Sequence, residues 1–166
     1  MSQLRVLAVC MGNICRSPMA HGVFEAEIDR RGWRDRVQVD SAGTHAYHVG
    51  EAPDPRAQLE ASQRGYYLAD QRARQLQADD FDHFDYILVM DEQNHADAAR
   101  IRPPNTKATL QYLLDFSNTS EREVPDPYYG GPQGFALVMD LVENAVRGFL
   151  DQTGKQRGWD SNIRID

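Results

Sequence analysis

The stretch RVLAVCMGNICRSPMAHGVF constrains the fold of this chain more than any other. Leu4 to Cys10 is a short apolar run rich in valine. A Gly/Asn loop follows, and then Ser17-Pro18, an N-cap paired with a first-turn proline. Apolar residues at Met19, Val23, Phe24 and Ile28 recur at helical spacing, and Gly32 is a natural stop. A buried strand that turns at once into a capped helix is half of a βαβ unit. RVQVDSAG supplies the second strand, ending near Ser41.

The alternation continues along the chain. Asp54-Pro55 repeats the cap-plus-proline signal for a helix running to Gly65, and Asp85 to Met90 (DYILVM) reads as a buried strand. DEQNHADAARI is a short helix closed by Pro103-Pro104, and ATLQYLL around Leu110 is a fourth, weaker strand. EREVPDPYYGGPQ is loop, too rich in Pro and Gly for anything else. In the last helix, Phe135, Val138, Val142, Ala145 and Phe149 form one apolar stripe. The expected organisation is one domain over 1–154 and a loosely held tail over 155–166. Strands alternating with helices imply right-handed crossovers, hence an α/β fold with a parallel sheet covered by helices on both faces.

Composition removes several classes of function. With 166 residues, 41% hydrophobic and 26% charged, the chain has the make-up of a globular domain. No apolar run approaches a membrane span, and the N-terminus does not read as a signal peptide, so a cytoplasmic location is expected. Two cysteines are too few for a disulfide scaffold, which leaves reactivity or packing as their use. The net charge of −7 repels nucleic acid and acidic membranes, so any anion must be held by a local site. A monomer is expected, because no exposed apolar stripe stands out.

In parallel sheets, ligands bind beyond the carboxyl ends of the strands where strand order reverses, and CMGNICRS lies at such an end. Consecutive backbone N–H groups between a strand and a helix N-terminus can curl around one tetrahedral oxyanion. Gly12 permits close backbone approach, Asn13 tolerates a left-handed conformation, and Arg16 can fork onto two oxygens. Amide dipoles, Arg16 and the Ser17 hydroxyl would all stabilise negative charge on Cys10. A thiolate beneath a bound phosphate can attack phosphorus in line, with the loop stabilising the equatorial oxygens, and this chemistry calls for no metal or cofactor. The Gly-Lys-Ser/Thr ending of nucleotide-binding loops is missing. An ester oxygen leaves badly unless protonated, so a carboxylic acid is required opposite the thiol; Asp126, on the loop after the fourth strand, is the candidate.

Taken together, VCMGNICRSPMA, DSAGT, PDPRA, ARQ, FDYILVMDEQN and DPYYGG resemble the low-molecular-weight protein tyrosine phosphatases, in order from about Leu4 to Leu150. The resemblance implies a four-stranded parallel sheet with flanking helices, a phosphocysteine intermediate, and phosphotyrosine-containing proteins as partners. Carried onto matching positions, it makes Cys10 the nucleophile, Arg16 the phosphate-binding group and Asp126 the general acid, then base. It gives Asn13 and Ser17 supporting roles, and the loop residues Met11, Gly12, Ile14 and Cys15 belong to the same substrate-binding segment. Tyr47, Tyr128 and Tyr129 fall where the family lines an aromatic cleft suited to an aryl phosphate. Many members carry a loop-bracing His where this chain has Gln71, which can still hydrogen-bond.

Several residues admit plainer roles. Cys15 reads as a small buried hydrophobe, or as the partner of Cys10 in a reversible disulfide that protects the nucleophile from irreversible oxidation. His45 and His48 have loose metal-ligand spacing without a second cluster, so an exposed loop is expected. Tyr128 and Tyr129 anchor a loop, wall the cleft or serve a tyrosine kinase, with the wall role preferred. DDFDHFD reads as a solvated helix end, Tyr66, Tyr67 and Trp33 as packing residues, and Asp91 as a helix cap or a brace for the site. Two competing functions remain: an arsenate reductase of the same fold, whose multi-thiol version needs a third cysteine, and a phosphate-dependent binding module, which needs neither nucleophile nor acid.

Overall fold

Seven residues of β1 (Leu4–Cys10) alternate between two cores, and this alternation organises the molecule. Leu4, Val6, Ala8 and Cys10 face one apolar cluster, and Leu7 and Val9 face the other. A strand buried on both faces must be internal. β1 lies between β2 (Val37–Gly43) and β3 (Tyr86–Val89), with β4 (Thr109–Tyr112) beyond β3, in a four-stranded sheet of order β2-β1-β3-β4. All three pairings are parallel. The structure is a computed structural model that describes residues 3–159.

Helices cover both faces, as the alternation requires. On one side α1 (Arg16–Arg31), α2 (Pro55–Gln63) and α5 (Pro132–Arg157) bury Met19, Val23, Phe24, Phe135, Val142 and Phe149 against the sheet. On the other, α3 (Asp80–His83) and α4 (Glu92–Ile101) contribute Phe81 and Ala98. Local chemistry sets most ends. Asp54 and Asp91 cap α2 and α4 by accepting from the N–H groups of Arg56 and Asn94, and Gly32 closes α1 in the left-handed region at φ 71°.

Several expectations need correction. Ser17 is not an N-cap: α1 begins at Arg16, and Ser17 sits in its first turn with its hydroxyl turned toward sulfur. β2 runs past Ser41 to Gly43, and α2 ends at Gln63 rather than Gly65. DDFDHFD is no solvated end, because Asp80 and Phe81 are buried in α3, where Asp80 pairs with Arg74. Tyr67 is 71% exposed, whereas Tyr66 and Trp33 are packed. α5 continues through Arg157, and Trp159 meets Trp33 edge to face at 5.2 Å, so the chain is held beyond Gly154; residues 160–166 of the expected tail lie outside the described residues. No described helix is long and apolar enough to cross a membrane.

The parallel strands put four connections at the carboxyl edge of the sheet: residues 11–15 after β1, 44–54 after β2, 90–91 after β3 and 113–131 after β4. α5 must press closely on the last of these. A Cβ at Gly148 would lie 1.9 Å from the Phe116 carbonyl oxygen, a backbone atom held by the 3-10 turn Leu113–Phe116. Gly148→Ala is therefore expected to destabilise the fold by about 3 kcal/mol through overpacking. A lower urea midpoint with an unchanged slope would report it.

Candidate active site

The loop after β1 is turned so that carbonyls of Cys10, Met11 and Ile14 are bonded by backbone N–H groups of the segment that follows β2. Thr44 N–H donates to Cys10 O (2.9 Å), His45 N–H to Met11 O (3.0 Å) and Asp54 N–H to Ile14 O (2.8 Å). Among the described residues, none of the backbone N–H groups of residues 11–16 donates to a backbone carbonyl. Buried amides are ordinarily paired. Six consecutive donors at the start of a 16-residue helix are thus left without a backbone acceptor, an arrangement able to receive an oxyanion. Asn13 makes the curl by adopting φ 58°, and its buried side chain fastens it: Oδ1 accepts from Arg74 N–H at 3.0 Å and Nδ2 donates to Ser17 Oγ at 2.8 Å.

Close approach from β2 is part of the same design. A Cβ on Gly43 would lie 2.7 Å from Met11 O, 3.0 Å from Gly12 C and 3.1 Å from Asn13 N, so only glycine lets the loop lie on the strand end. Nothing in the sequence alone pairs Gly43 with a loop some thirty residues upstream. Gly12 is constrained differently, by the His48 ring, which a Cβ would meet at 2.9 Å.

Cys10 lies at the end of β1 on the floor of the loop, buried, with Sγ 3.0 Å from Ser17 Oγ and 3.5 Å from Ser17 N. Arg16 is 1% exposed. Its Nη1 donates to Asp91 Oδ2 at 2.5 Å and to Val124 O at 3.0 Å, while Nε has no hydrogen-bond partner and Nη2 is 3.7 Å from Asp126 Oδ2. The edge formed by Nε and Nη2 is thus the one left to bind an anion bidentately. Burial opposes the guanidinium charge, but the sulfur of Cys10 and the carboxylate of Asp91 outweigh it and raise the Arg16 pKa. Asp91 acts as cap and brace together, since its other oxygen accepts from Asn94 N–H at 2.8 Å.

The second thiol is unlike the first. Burial, followed by the negative charge of Asp54, raises the Cys15 pKa, so Cys15 stays protonated at neutral pH. Above the loop a cleft of about 270 Å³ is walled by Tyr47, His48, Tyr128 and Tyr129, with Asp126 at its side. Tyr129 is 92% exposed and stands at the rim, edge to face with Tyr128 at 5.0 Å. Asp126 Oδ1 accepts from Tyr128 N–H at 3.0 Å, which aims the carboxylate into the mouth.

All the residues singled out from the sequence in the loop, the acid position and the tyrosines line this cleft, save Asn13 and Ser17, which support the loop from behind. His48 was read as an exposed loop residue. Instead it lines the cleft beside Tyr128, with Nδ1 3.1 Å from Glu51, while His45 stacks on Tyr47 at 5.3 Å. Among the described residues no group of three or more His, Cys, Asp or Glu is placed to hold a metal ion. Gln71 does not reach the loop; its Nε2 donates to Pro18 O at 3.1 Å.

A cysteine at the start of a loop whose amides lack backbone acceptors, a buried arginine beside it and a carboxylate across the cleft define the class of α/β phosphatases built on a thiol and an oxyanion loop. Comparison with known proteins makes this specific. The family model for low molecular weight phosphotyrosine protein phosphatase matches residues 5–158. The chain is 42% identical over 150 residues to the low molecular weight phosphotyrosine protein phosphatase of Schizosaccharomyces pombe, covering 87% of this chain and 96% of that one. It is 38% identical over 150 residues to the Rattus norvegicus protein of the same name, covering 89% and 94%. A solved protein tyrosine phosphatase from Entamoeba histolytica, with Hepes in its active site, superposes with a TM-score of 0.89 at 36% identity, covering 93% of this chain and 99% of that one. The chain belongs to the low molecular weight phosphotyrosine protein phosphatase family and is a protein-tyrosine-phosphatase.

Two outcomes follow from the geometry. Brief iodoacetate treatment at neutral pH should modify Cys10 and leave Cys15 intact, as read by peptide mass spectrometry. Gly43→Ala should displace the loop and lower kcat/KM for para-nitrophenyl phosphate by about 100-fold, the usual penalty for misplacing reacting groups by an ångström.

Proposed function

We propose that Cys10 Sγ attacks the phosphorus of a phosphotyrosine ester held in the loop. The sulfur–phosphorus bond forms as the bond from phosphorus to the phenolic oxygen breaks, and Asp126 gives its proton to that oxygen. Arg16 and the amides of residues 11–16 stabilise the charge on the three equatorial oxygens through the transition state. Water then attacks the phosphocysteine, Asp126 takes the proton from it, and inorganic phosphate leaves with the thiolate restored.

The observation that carries this reading is the run of amides of residues 11–16 without backbone partners among the described residues, in the loop that begins at Cys10 and returns to its sulfur at Ser17 N, 3.5 Å from Sγ. Supporting it, Asp126 stands within 3.7 Å of Arg16, on the loop after β4 and across the cleft from sulfur. The walls argue for substrate class. Tyr47, His48 and Tyr128 offer flat faces to a phenyl ring, and Met11 and Ile14 are apolar, so an aryl phosphate gains contacts that a shorter phosphoserine does not reach. The natural partners are then phosphotyrosine-containing proteins. Arsenate reduction through a relay of thiols would need a third cysteine, and the chain has two.

Turnover of para-nitrophenyl phosphate should vanish in Cys10→Ser, and kcat should fall about 10²- to 10⁴-fold in Asp126→Ala, the range for losing a general acid. Phosphotyrosine peptides should be hydrolysed far faster than phosphoserine peptides, and arsenate with a thiol reductant should yield no arsenite. Residual turnover by Cys10→Ser would remove the nucleophile from this scheme.

A further inference from the structure

The imidazole of His21, on α1 and outside the cleft, ends a chain of hydrogen bonds that begins at the reactive sulfur. Ser17 Oγ lies 3.0 Å from Cys10 Sγ, and Asn13 Nδ2 donates to Ser17 Oγ at 2.8 Å and to Ser41 Oγ at 3.0 Å. Ser41 Oγ is in turn 3.4 Å from His21 Nδ1. The orientation of the Asn13 amide is not free, because its oxygen accepts from Arg74 N–H. Both amide hydrogens therefore fall on the two serine oxygens, and each serine has one hydrogen left to place.

Ser17 can place its hydrogen on Cys10 Sγ, with Ala42 O at 3.5 Å as the weaker choice. For the buried Ser41, the acceptor within reach is His21 Nδ1. That requires a lone pair on Nδ1, hence a neutral ring carrying its hydrogen on Nε2. Nε2 is 3.6 Å from Glu25 Oε1, where such a hydrogen meets a carboxylate. The hydrogen bond to His21 and, against the opposing effect of burial, the one to Arg34 hold the Glu25 carboxyl below its ordinary value, so it is ionised at neutral pH. On the β2 side the charged neighbour of Ser41 is Asp40, which is paired with Arg74.

We propose that neutral His21 is a positioning residue for the nucleophile: by accepting the Ser41 hydroxyl hydrogen at Nδ1, it keeps Ser41 an acceptor for one Asn13 amide hydrogen and so helps hold the side chain, oriented by Arg74 N–H, whose other amide hydrogen lies on Ser17 Oγ beside Cys10 Sγ. Protonation of the ring turns Nδ1 into a donor. Ser41 then faces two donors and its own hydrogen loses its acceptor, an unsatisfied buried hydroxyl at the far end of the chain. The inference rests on Cys10 being the nucleophile, which the Cys10→Ser variant tests separately.

The test compares His21→Phe, which deletes the acceptor, with His21→Asn, whose side-chain oxygen replaces Nδ1 but does not titrate. At pH 7, His21→Phe should slow both Cys10 alkylation by iodoacetate and kcat for para-nitrophenyl phosphate by about tenfold, the worth of one ordinary hydrogen bond, with little change in KM. His21→Asn should restore both. Long-range proton–nitrogen spectra at pH 7.5 should show Nδ1 unprotonated. Equal alkylation and turnover in His21→Phe, an Asn variant as impaired as Phe, or a hydrogen on Nδ1 would each overturn the proposal. Should His21→Phe fail to fold, the tautomer and the rates of the Asn variant decide it alone.

Discussion

Arg16 heads the largest fully buried side chains of the protein, and a guanidinium can be shut away from water only where its hydrogens and its charge are answered. Asp91, at the end of β3, and the Val124 carbonyl, beyond β4, answer one of its terminal nitrogens. Arg16, at the end of the first loop, thereby ties together three of the four connections at the carboxyl edge of the sheet. Nε has no hydrogen-bond partner, and Nη2 lies 3.7 Å from Asp126 at the cleft. On the mechanism proposed above, folding and binding use different edges of the same planar group, which lysine, a point charge without a fork, could not reproduce.

The same division runs through the loop. Its carbonyls accept from Thr44, His45 and Asp54, while among the described residues its amides donate to no backbone carbonyl. What would be a defect in a structural turn is, on the mechanism proposed above, a preformed receptor for three oxygens of a phosphoryl group. The two thiols show how finely the environment discriminates. Cys10 sits against Ser17 at the start of the loop, whereas Cys15, five residues on, is kept protonated by burial and by Asp54.

Much of the fold could be read in advance because its signals are local. The caps at Asp54 and Asp91, the stop at Gly32, the valine-rich runs and the stripe from Phe135 to Phe149 each depend on residues within one or two turns, where period and capping chemistry operate. The same local reading misassigned Ser17. Before a proline it has every mark of an N-cap, yet the loop needs its hydroxyl behind the sulfur, and Cys15 takes the cap position without any side-chain bond. His48 was missed for a different reason: an isolated histidine in a polar loop carries no pattern, and only the fold of residues 44–51 over Gly12 and beside Tyr128 brings it to the cleft.

The order of residues from Cys10 to Ser17 was enough to place an oxyanion loop between a strand and a helix, because the amides, the arginine and the thiol are covalent neighbours. Asp91 against Arg16, Gly43 beneath Met11, and Ser41 between Asn13 and His21 are another matter. These pairs lie up to 75 positions apart, and which of them meet depends on β1 being flanked by both β2 and β3. Strand order is settled by the packing of the whole sheet between its two helical layers, a property no local stretch of sequence carries.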